Sequence, residues 1–203
     1  MSHALSGLEP KLLWDHFAAL AAIPRGSKNE SAATAHVAAF AARLGLPVKV
    51  DSVGNVLVTK PGTKGLENRP AVVLQGHLDM VCEKNSGTVH DFTKDPIRLV
   101  VDGDEVKADG TTLGADNGIG CAMGLAVADE PKLTHGPIEV LHQLARAAQA
   151  LQMGKVENVH RHVPEERVGH HVVGVVVKKL QGLRERLEDL LQVWMCKLAV
   201  VRQ

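Results

Sequence analysis

The chain changes composition abruptly near residue 141, and this break limits what can fold from it. Residues 141–203 contain no Ser, Thr, Ile or Phe, but 12 Val and 5 of the 11 His. Ser and Thr are the usual residues of helix caps and turns, so 63 residues without them are difficult to fold into several ordinary turns. The net charge of zero hides the same break, because residues 1–140 carry −4 and residues 141–203 carry +4. We therefore predict a domain over residues 1–141 and an unrelated tail over residues 142–203.

The composition as a whole is that of a soluble globular protein, with 45% hydrophobic and 23% charged residues. No apolar run reaches the roughly 18 residues that a membrane span needs, and the first ten residues do not look like a secretory signal. The three cysteines, Cys82, Cys121 and Cys196, form no CxxC pair, which argues against a disulfide framework or a thiolate zinc site. We expect a cytoplasmic protein with neither a membrane nor a nucleic-acid partner.

Residues before 141 alternate between helical and strand patterns. The sequence Ser27-x-x-Glu30 matches a capping box, which predicts a helix N-terminus there and an Ala-rich helix to Leu44. Further helices are predicted at 11–22 and 118–129. Strands are predicted at 46–51, 55–60, 71–74 and 137–141, with a hairpin at 99–106 around an Asp-Gly turn. Because residues 71–74 are all apolar, we predict a strand buried on both faces. The alternation predicts an α/β sandwich with a mixed sheet.

The tail follows other patterns. Residues 144–153 could form a helix, and the Val-rich residues 172–177 could form a strand. Apolar residues at a 3-4-3-4 spacing form a seam of about two heptads: Leu180, Leu183, Leu187, Leu190 and Trp194. A coiled coil usually needs three to four heptads, so an amphipathic helix is favoured over a dedicated zipper.

The first cluster with chemical potential follows the predicted strand at 71–74. In α/β folds, ligands gather at the carboxyl ends of strands. His77 offers a neutral imidazole, which is a good zinc ligand. Asp79 lies two residues further on, so in extended backbone it points to the same side and can accept the other ring N–H. On spacing alone, a surface pair without a role is the commoner explanation of such a sequence.

The second cluster runs from the hairpin into the helix predicted at 118–129. Asp116 lies near the start of this helix, where carboxylates are favoured. Gly114 and Gly118 would let the backbone approach a ligand closely. The alternative is that Asp116 simply caps the helix, and this motif alone does not decide between the two.

Together the two clusters resemble the co-catalytic zinc exopeptidases, and more narrowly the aminoacyl-histidine dipeptidases, also called cytosol non-specific dipeptidases. The resemblance covers about residues 5–141. Its matching strings are Val53-Gly-Asn55, Val73-Leu-Gln-Gly-His-Leu-Asp-Met-Val81, Val89-His-Asp-Phe-Thr-Lys-Asp-Pro-Ile97, Gly110-Thr-Thr-Leu-Gly-Ala-Asp-Asn-Gly-Ile-Gly120 and His135-Gly-Pro-Ile-Glu-Val-Leu141.

The resemblance implies roles for three residues. His77 would bind one zinc ion and Asp116 would bridge two, while Asp79 would act in catalysis by orienting His77. It implies the N-terminal part of a zinc-exopeptidase α/β sandwich. The peptide between Asp116 and Asn117 would be cis, and the side chains of His77 and Asp116 would face each other across one pocket. The small substrate would be a dipeptide.

The family pattern is interrupted after Leu141. In the family this strand leads into Thr-x-x-Glu-Glu-x-Gly, which supplies the general base and a metal ligand. Those two glutamates would fall near positions 146 and 147, which here are Arg146 and Ala147. Of five expected metal ligands, His77 and Asp116 are present. The resemblance thus implies a truncated catalytic domain, and we expect that the reading frame changes near Leu141.

Two functions follow as expectations. The first is a zinc-dependent dipeptidase by family, acting on Xaa-His and other dipeptides, with this particular chain inactive. The second is a non-catalytic fragment that serves at most as a weak metal-binding or helix-pairing module. Four tail histidines, His160, His162, His170 and His171, could in principle replace the missing ligands, but solvated histidines without a role are the favoured interpretation.

Overall fold

A computed structural model of the chain describes residues 3–144. The helices are α1 (Lys11–Ala21), α2 (Ser31–Arg43) and α3 (Ala115–Asp129). The strands are β1 (Val48–Val50), β2 (Val56–Lys60), β3 (Val72–His77), β4 (Leu99–Asp102), β5 (Glu105–Ala108) and β6 (Ile138–Gln143). Within this part of the chain, no helix has the length and apolar character needed to cross a membrane. The predicted alternation of helices and strands is confirmed, with most boundaries within a few residues.

Four strands form a mixed sheet in the order β1-β2-β6-β3. β2 runs antiparallel to both β1 and β6, whereas β3 runs parallel to β6. β4 and β5 form a separate two-stranded hairpin, and its turn contains Gly103 with a φ of 58°. Only glycine adopts such a φ at little cost, which explains the predicted Asp-Gly turn. The predicted α/β fold with a mixed sheet is confirmed.

α3 lies against the sheet and against α1, and this packing forms the core. Val56, Val58 and Val140 are fully buried on neighbouring positions of β2 and β6. Gly124 of α3 approaches them so closely that an added Cβ would lie 2.7 Å from Cγ1 of Val140. At the end of α3, Asp129 Oδ2 lies 3.0 Å from His16 Nε2 of α1. The core therefore reaches its density with small and branched aliphatic residues rather than with aromatic ones.

The predicted burial of β3 on both faces is wrong. Its residues Val72, Val73 and Leu74 are only half-buried. β3 pairs with β6 on one side and is an edge of the sheet within residues 3–144. An unbroken apolar run therefore indicated a strand correctly, but not how many neighbours the strand has.

The predicted capping box is also wrong. α2 begins at Ser31 rather than just after Ser27, and no side chain caps its first turn. The hydroxyl of Ser27 instead donates to Asp79 Oδ2 at 2.6 Å, and Glu30 accepts a hydrogen bond from the backbone N–H of Lys28. A tertiary partner has replaced the local one, which the spacing of two residues cannot reveal.

The ordered strand continues past Leu141. β6 extends to Gln143, and His142 is 1% exposed on its inner face. The backbone N–H of Leu144 then donates to Asn55 Oδ1 at 3.0 Å. Apart from the hairpin turn Gly103–Glu105, residues 3–144 belong to one compact unit. The helix, strand and seam predicted within the tail lie outside the described residues, so the proposed domain boundary stays a prediction.

His142 makes the stability of this unit depend on pH. Burial lowers its pKa from the usual 6.5 to about 4, and within the described part its Nδ1 has no hydrogen-bond partner. The unfolded chain therefore binds the proton more readily between these values. The contribution of His142 is fully present above about pH 6.5 and is lost as the pH falls towards 4, by an amount of order 3 kcal/mol.

We expect His142→Leu to reduce the loss of unfolding free energy between pH 7 and pH 4.5. The measurement is urea denaturation of both proteins across this range. The difference between them isolates His142 from other histidines, such as His16, whose pKa is also lowered by burial. Parallel pH profiles for the two proteins would show that His142 is not buried as a neutral ring.

Candidate metal centre

His77 and Asp79 lie where β3 ends and the chain leaves the sheet. The ladder between β3 and β6 continues one step further, because the N–H of Leu78 donates to the carbonyl oxygen of Gln143 at 2.9 Å. His77 Nδ1 lies 3.1 Å from Asp79 Oδ1. Asp79 is the shielded member, with its side chain 14% exposed and its other oxygen bound by Ser27. The carboxylate is thus fixed from both sides and can orient the imidazole.

Asp116 lies at the start of α3, in backbone that is not helical. Asp116 has φ −89° and ψ 107°, and Asn117 has φ −109° and ψ 30°. The peptide between them is cis, as the sequence resemblance implied. The side chain of Asp116 is 93% exposed, so its carboxylate faces solvent at the mouth of the site.

His77 and Asp116 meet across the two clusters. His77 Nε2 lies 3.2 Å from Asp116 Oδ1, which confirms that the two side chains face each other. A neutral imidazole carries a single N–H. If that N–H donates to Asp79, the lone pair of Nε2 points at a second carboxylate. This position then favours a proton or a metal cation between the ring and Asp116.

The pair suits a metal ion in the kind and spacing of its donors, but not in their number. Two donors of one tetrahedral zinc ion, each about 2.1 Å from the metal, lie about 3.3 Å apart, close to the separation seen here. Zinc sites in enzymes use three protein ligands. Within residues 3–144, no group of three or more His, Cys, Asp or Glu side chains could hold a metal ion. The described residues therefore form part of a metal shell.

Cys121 lies directly beneath this pair but serves packing. Its thiol is buried and donates to the carbonyl oxygen of His77 at 3.2 Å. Burial raises the pKa of Cys121 to about 12, so the thiol stays protonated at neutral pH. A protonated thiol is a poor metal ligand, which leaves His77 and Asp116 as the donors.

Two residues that support the site carried no clear signal in the sequence. Ser27 was assigned to a helix cap, whereas its hydroxyl fixes Asp79. Arg25 is 1% exposed and lies between the two clusters, yet a single Arg in a loop between helices gives no pattern to detect. Both residues reach the site through tertiary contacts at separations of more than 50 residues.

Similar proteins support the same assignment. The cytosol non-specific dipeptidase of Escherichia coli (strain K12) is 53% identical over 144 residues, which are 71% of this chain and 30% of that protein. The resemblance to the aminoacyl-histidine dipeptidases is confirmed. The crystal structure of the aminoacylhistidine dipeptidase from Vibrio alginolyticus matches with a TM-score of 0.67 and 49% identity, over 69% of this chain and 29% of that chain.

A more distant structure agrees in fold. A tripeptidase from Staphylococcus aureus has a TM-score of 0.57 at 23% identity, over 72% of this chain and 39% of that chain. No protein-family model matches the chain. The chain spans about 30% of the length of the aminoacyl-histidine dipeptidases that it resembles.

Gly76 decides how closely α3 can approach β3 at the metal pair. A Cβ at this position would lie 2.5 Å from Asn117 Oδ1 and 3.0 Å from Cys121 Sγ. We expect Gly76→Ala to lower the free energy of unfolding by about 1–3 kcal/mol, because the start of α3 must move away. Urea denaturation measures the change. Gly7→Ala is the control, since nothing lies within 4 Å of its added Cβ. Equal stabilities of the two variants would contradict the close packing at Gly76.

Proposed function

We propose that residues 3–144 are part of the catalytic domain of a zinc-dependent dipeptidase that acts in the cytoplasm. The observation that carries the proposal is the contact of His77 Nε2 with Asp116 Oδ1 at 3.2 Å, with Asp79 fixed behind the ring. The likeness to dipeptidases at about half identity supports it. The proposed substrates are small dipeptides, including those with a C-terminal histidine.

In this proposal each residue has one task. His77 and Asp116 hold zinc, with Asp116 exposed enough to reach a second ion of a two-metal centre. Asp79 keeps the proton of His77 on Nδ1, so that the lone pair of Nε2 faces the metal. Bound zinc would supply polarisation of the peptide carbonyl and a water activated for attack.

We further propose that the 203-residue polypeptide binds metal without hydrolysing dipeptides. Hydrolysis needs a closed set of ligands and a carboxylate that takes the proton of the attacking water. Among the described residues, His77 and Asp116 are two ligands, and Asp79 is occupied by Ser27 and the ring of His77. This is the weak metal-binding module that the sequence offers as the alternative to an active enzyme.

Zinc affinity tests the proposed ligands. We expect competition against a fluorescent chelator to detect one weak zinc site in the wild type, which is abolished by His77→Ala and by Asp116→Asn. Asp79→Asn should weaken binding by about 10–100-fold, because it removes the group that fixes the imidazole.

The control for this measurement is a variant in which His160, His162, His170 and His171 are all replaced by Gln. It should keep the zinc affinity of the wild type. Loss of binding in this control, with no effect of His77→Ala, would place the zinc site in the tail and contradict the proposal.

Activity tests the second part of the proposal. We expect the purified polypeptide with added zinc to hydrolyse Xaa-His dipeptides no faster than the His77→Ala variant does. Release of free amino acids, followed by chromatography, is the measurement. Turnover that requires both zinc and His77 would show that the site is complete in this polypeptide.

A further inference from the structure

Arg25 is a buried cation at the junction of the two clusters. It lies in the loop between α1 and α2 and is 1% exposed. Its Nη1 donates to the carbonyl oxygen of Leu78 at 2.9 Å, and Nη2 donates to that of Gly114 at 2.8 Å. A longer contact of 3.5 Å joins Nη1 to the carbonyl oxygen of Asp79. One guanidinium group therefore links two segments that are more than 30 residues apart.

Each of the two segments carries one member of the metal pair. Leu78 follows His77 directly, and Gly114 lies two residues before Asp116. The backbone of Arg25 adds a further link, because its carbonyl oxygen accepts from the N–H of Met80 at 3.0 Å. The position of Asp116 relative to His77 thus depends on the length of the Arg25 bridge.

The surroundings are shaped to fit the guanidinium group. A Cβ added at Gly114 or at Gly118 would lie 2.6 Å from Nη2 of Arg25. Gly114 also has a φ of 68°, whereas Gly118 needs no unusual φ. The absence of a side chain at Gly118 is therefore explained by the room that Arg25 occupies.

The burial of Arg25 is costly, which points to a positional role. Its hydrogen-bond acceptors are backbone carbonyl oxygens, and Nε has no partner within the described part of the chain. Desolvation lowers the pKa of Arg25 from its ordinary value. A buried cation of this kind adds little stability over a well-packed apolar side chain. Its planar fork, however, fixes two acceptors in one geometry, which no apolar residue can do.

We propose that Arg25 is the positioning residue of the metal pair: its guanidinium group holds the Leu78 and Gly114 carbonyls at the separation that brings His77 to Asp116. The inference rests on the proposed function for its metal-binding consequence, but not for the geometry itself.

The experiment compares Arg25→Lys and Gly118→Ala with Lys60→Met in the full chain. Arg25→Lys keeps the charge and removes the fork. Gly118→Ala keeps Arg25 and fills the space of Nη2. Lys60 is a matched control, because its Nζ donates to two backbone carbonyls, those of Val127 and Glu130, at the opposite end of α3.

Zinc affinity is the first readout. We expect Arg25→Lys and Gly118→Ala to weaken binding at least tenfold, while Lys60→Met lowers stability and leaves the affinity within about twofold. Unchanged affinity in both site variants would overturn the proposal, as would an equal loss in Lys60→Met. If Arg25→Lys does not fold, Gly118→Ala alone decides between these outcomes.

Amide hydrogen exchange without metal is the second readout. The Met80 amide should exchange at least tenfold faster in Arg25→Lys and Gly118→Ala, relative to the amides of β2. The same ratio should not change in Lys60→Met. If zinc binding proves independent of His77 and Asp116, the proposed function fails, and this ratio still decides whether Arg25 holds the two segments. An unchanged ratio in both site variants would overturn the positional role.

Discussion

The structure depends on how closely the start of α3 approaches the end of β3. Gly76 makes this possible, since a side chain there would collide with Asn117 and Cys121 of α3. Gly124 does the same one level deeper in the core, against Val140. Close packing of a helix on a sheet buries apolar surface and also fixes the helix start to a fraction of an ångström. Asp116 inherits that position, which is why it meets His77.

Polar groups buried around this contact stabilise its geometry more than the fold as a whole. Arg25, the Cys121 thiol and the Ser27 hydroxyl all bind backbone or side-chain oxygens within the two clusters. Each of them joins segments that are distant in sequence. In a medium of low dielectric constant such bonds are strong when formed and costly when broken. The metal pair is therefore supported from behind, while Asp116 stays open to solvent.

The site is open in a second sense. His77 and Asp116 have the separation of two zinc donors, and Asp79 stands behind the ring as an orienting carboxylate. A hydrolytic centre also needs further ligands and a base. Residues 3–144 present the binding half of that chemistry, in keeping with a chain that spans about 30% of its dipeptidase relatives.

The sequence by itself determined the order of helices and strands, the Asp-Gly hairpin and the positions of His77, Asp79 and Asp116. These features rest on local patterns, namely periodicity, turn chemistry and motif spacing, which neighbouring residues carry. Only the tertiary structure decided that β3 is an edge strand within the described part, that Ser27 binds Asp79 rather than capping a helix, and that Arg25 bridges the clusters. Each of these depends on which distant segment lies next to the residue. Packing decides that, and no window of neighbouring residues records it.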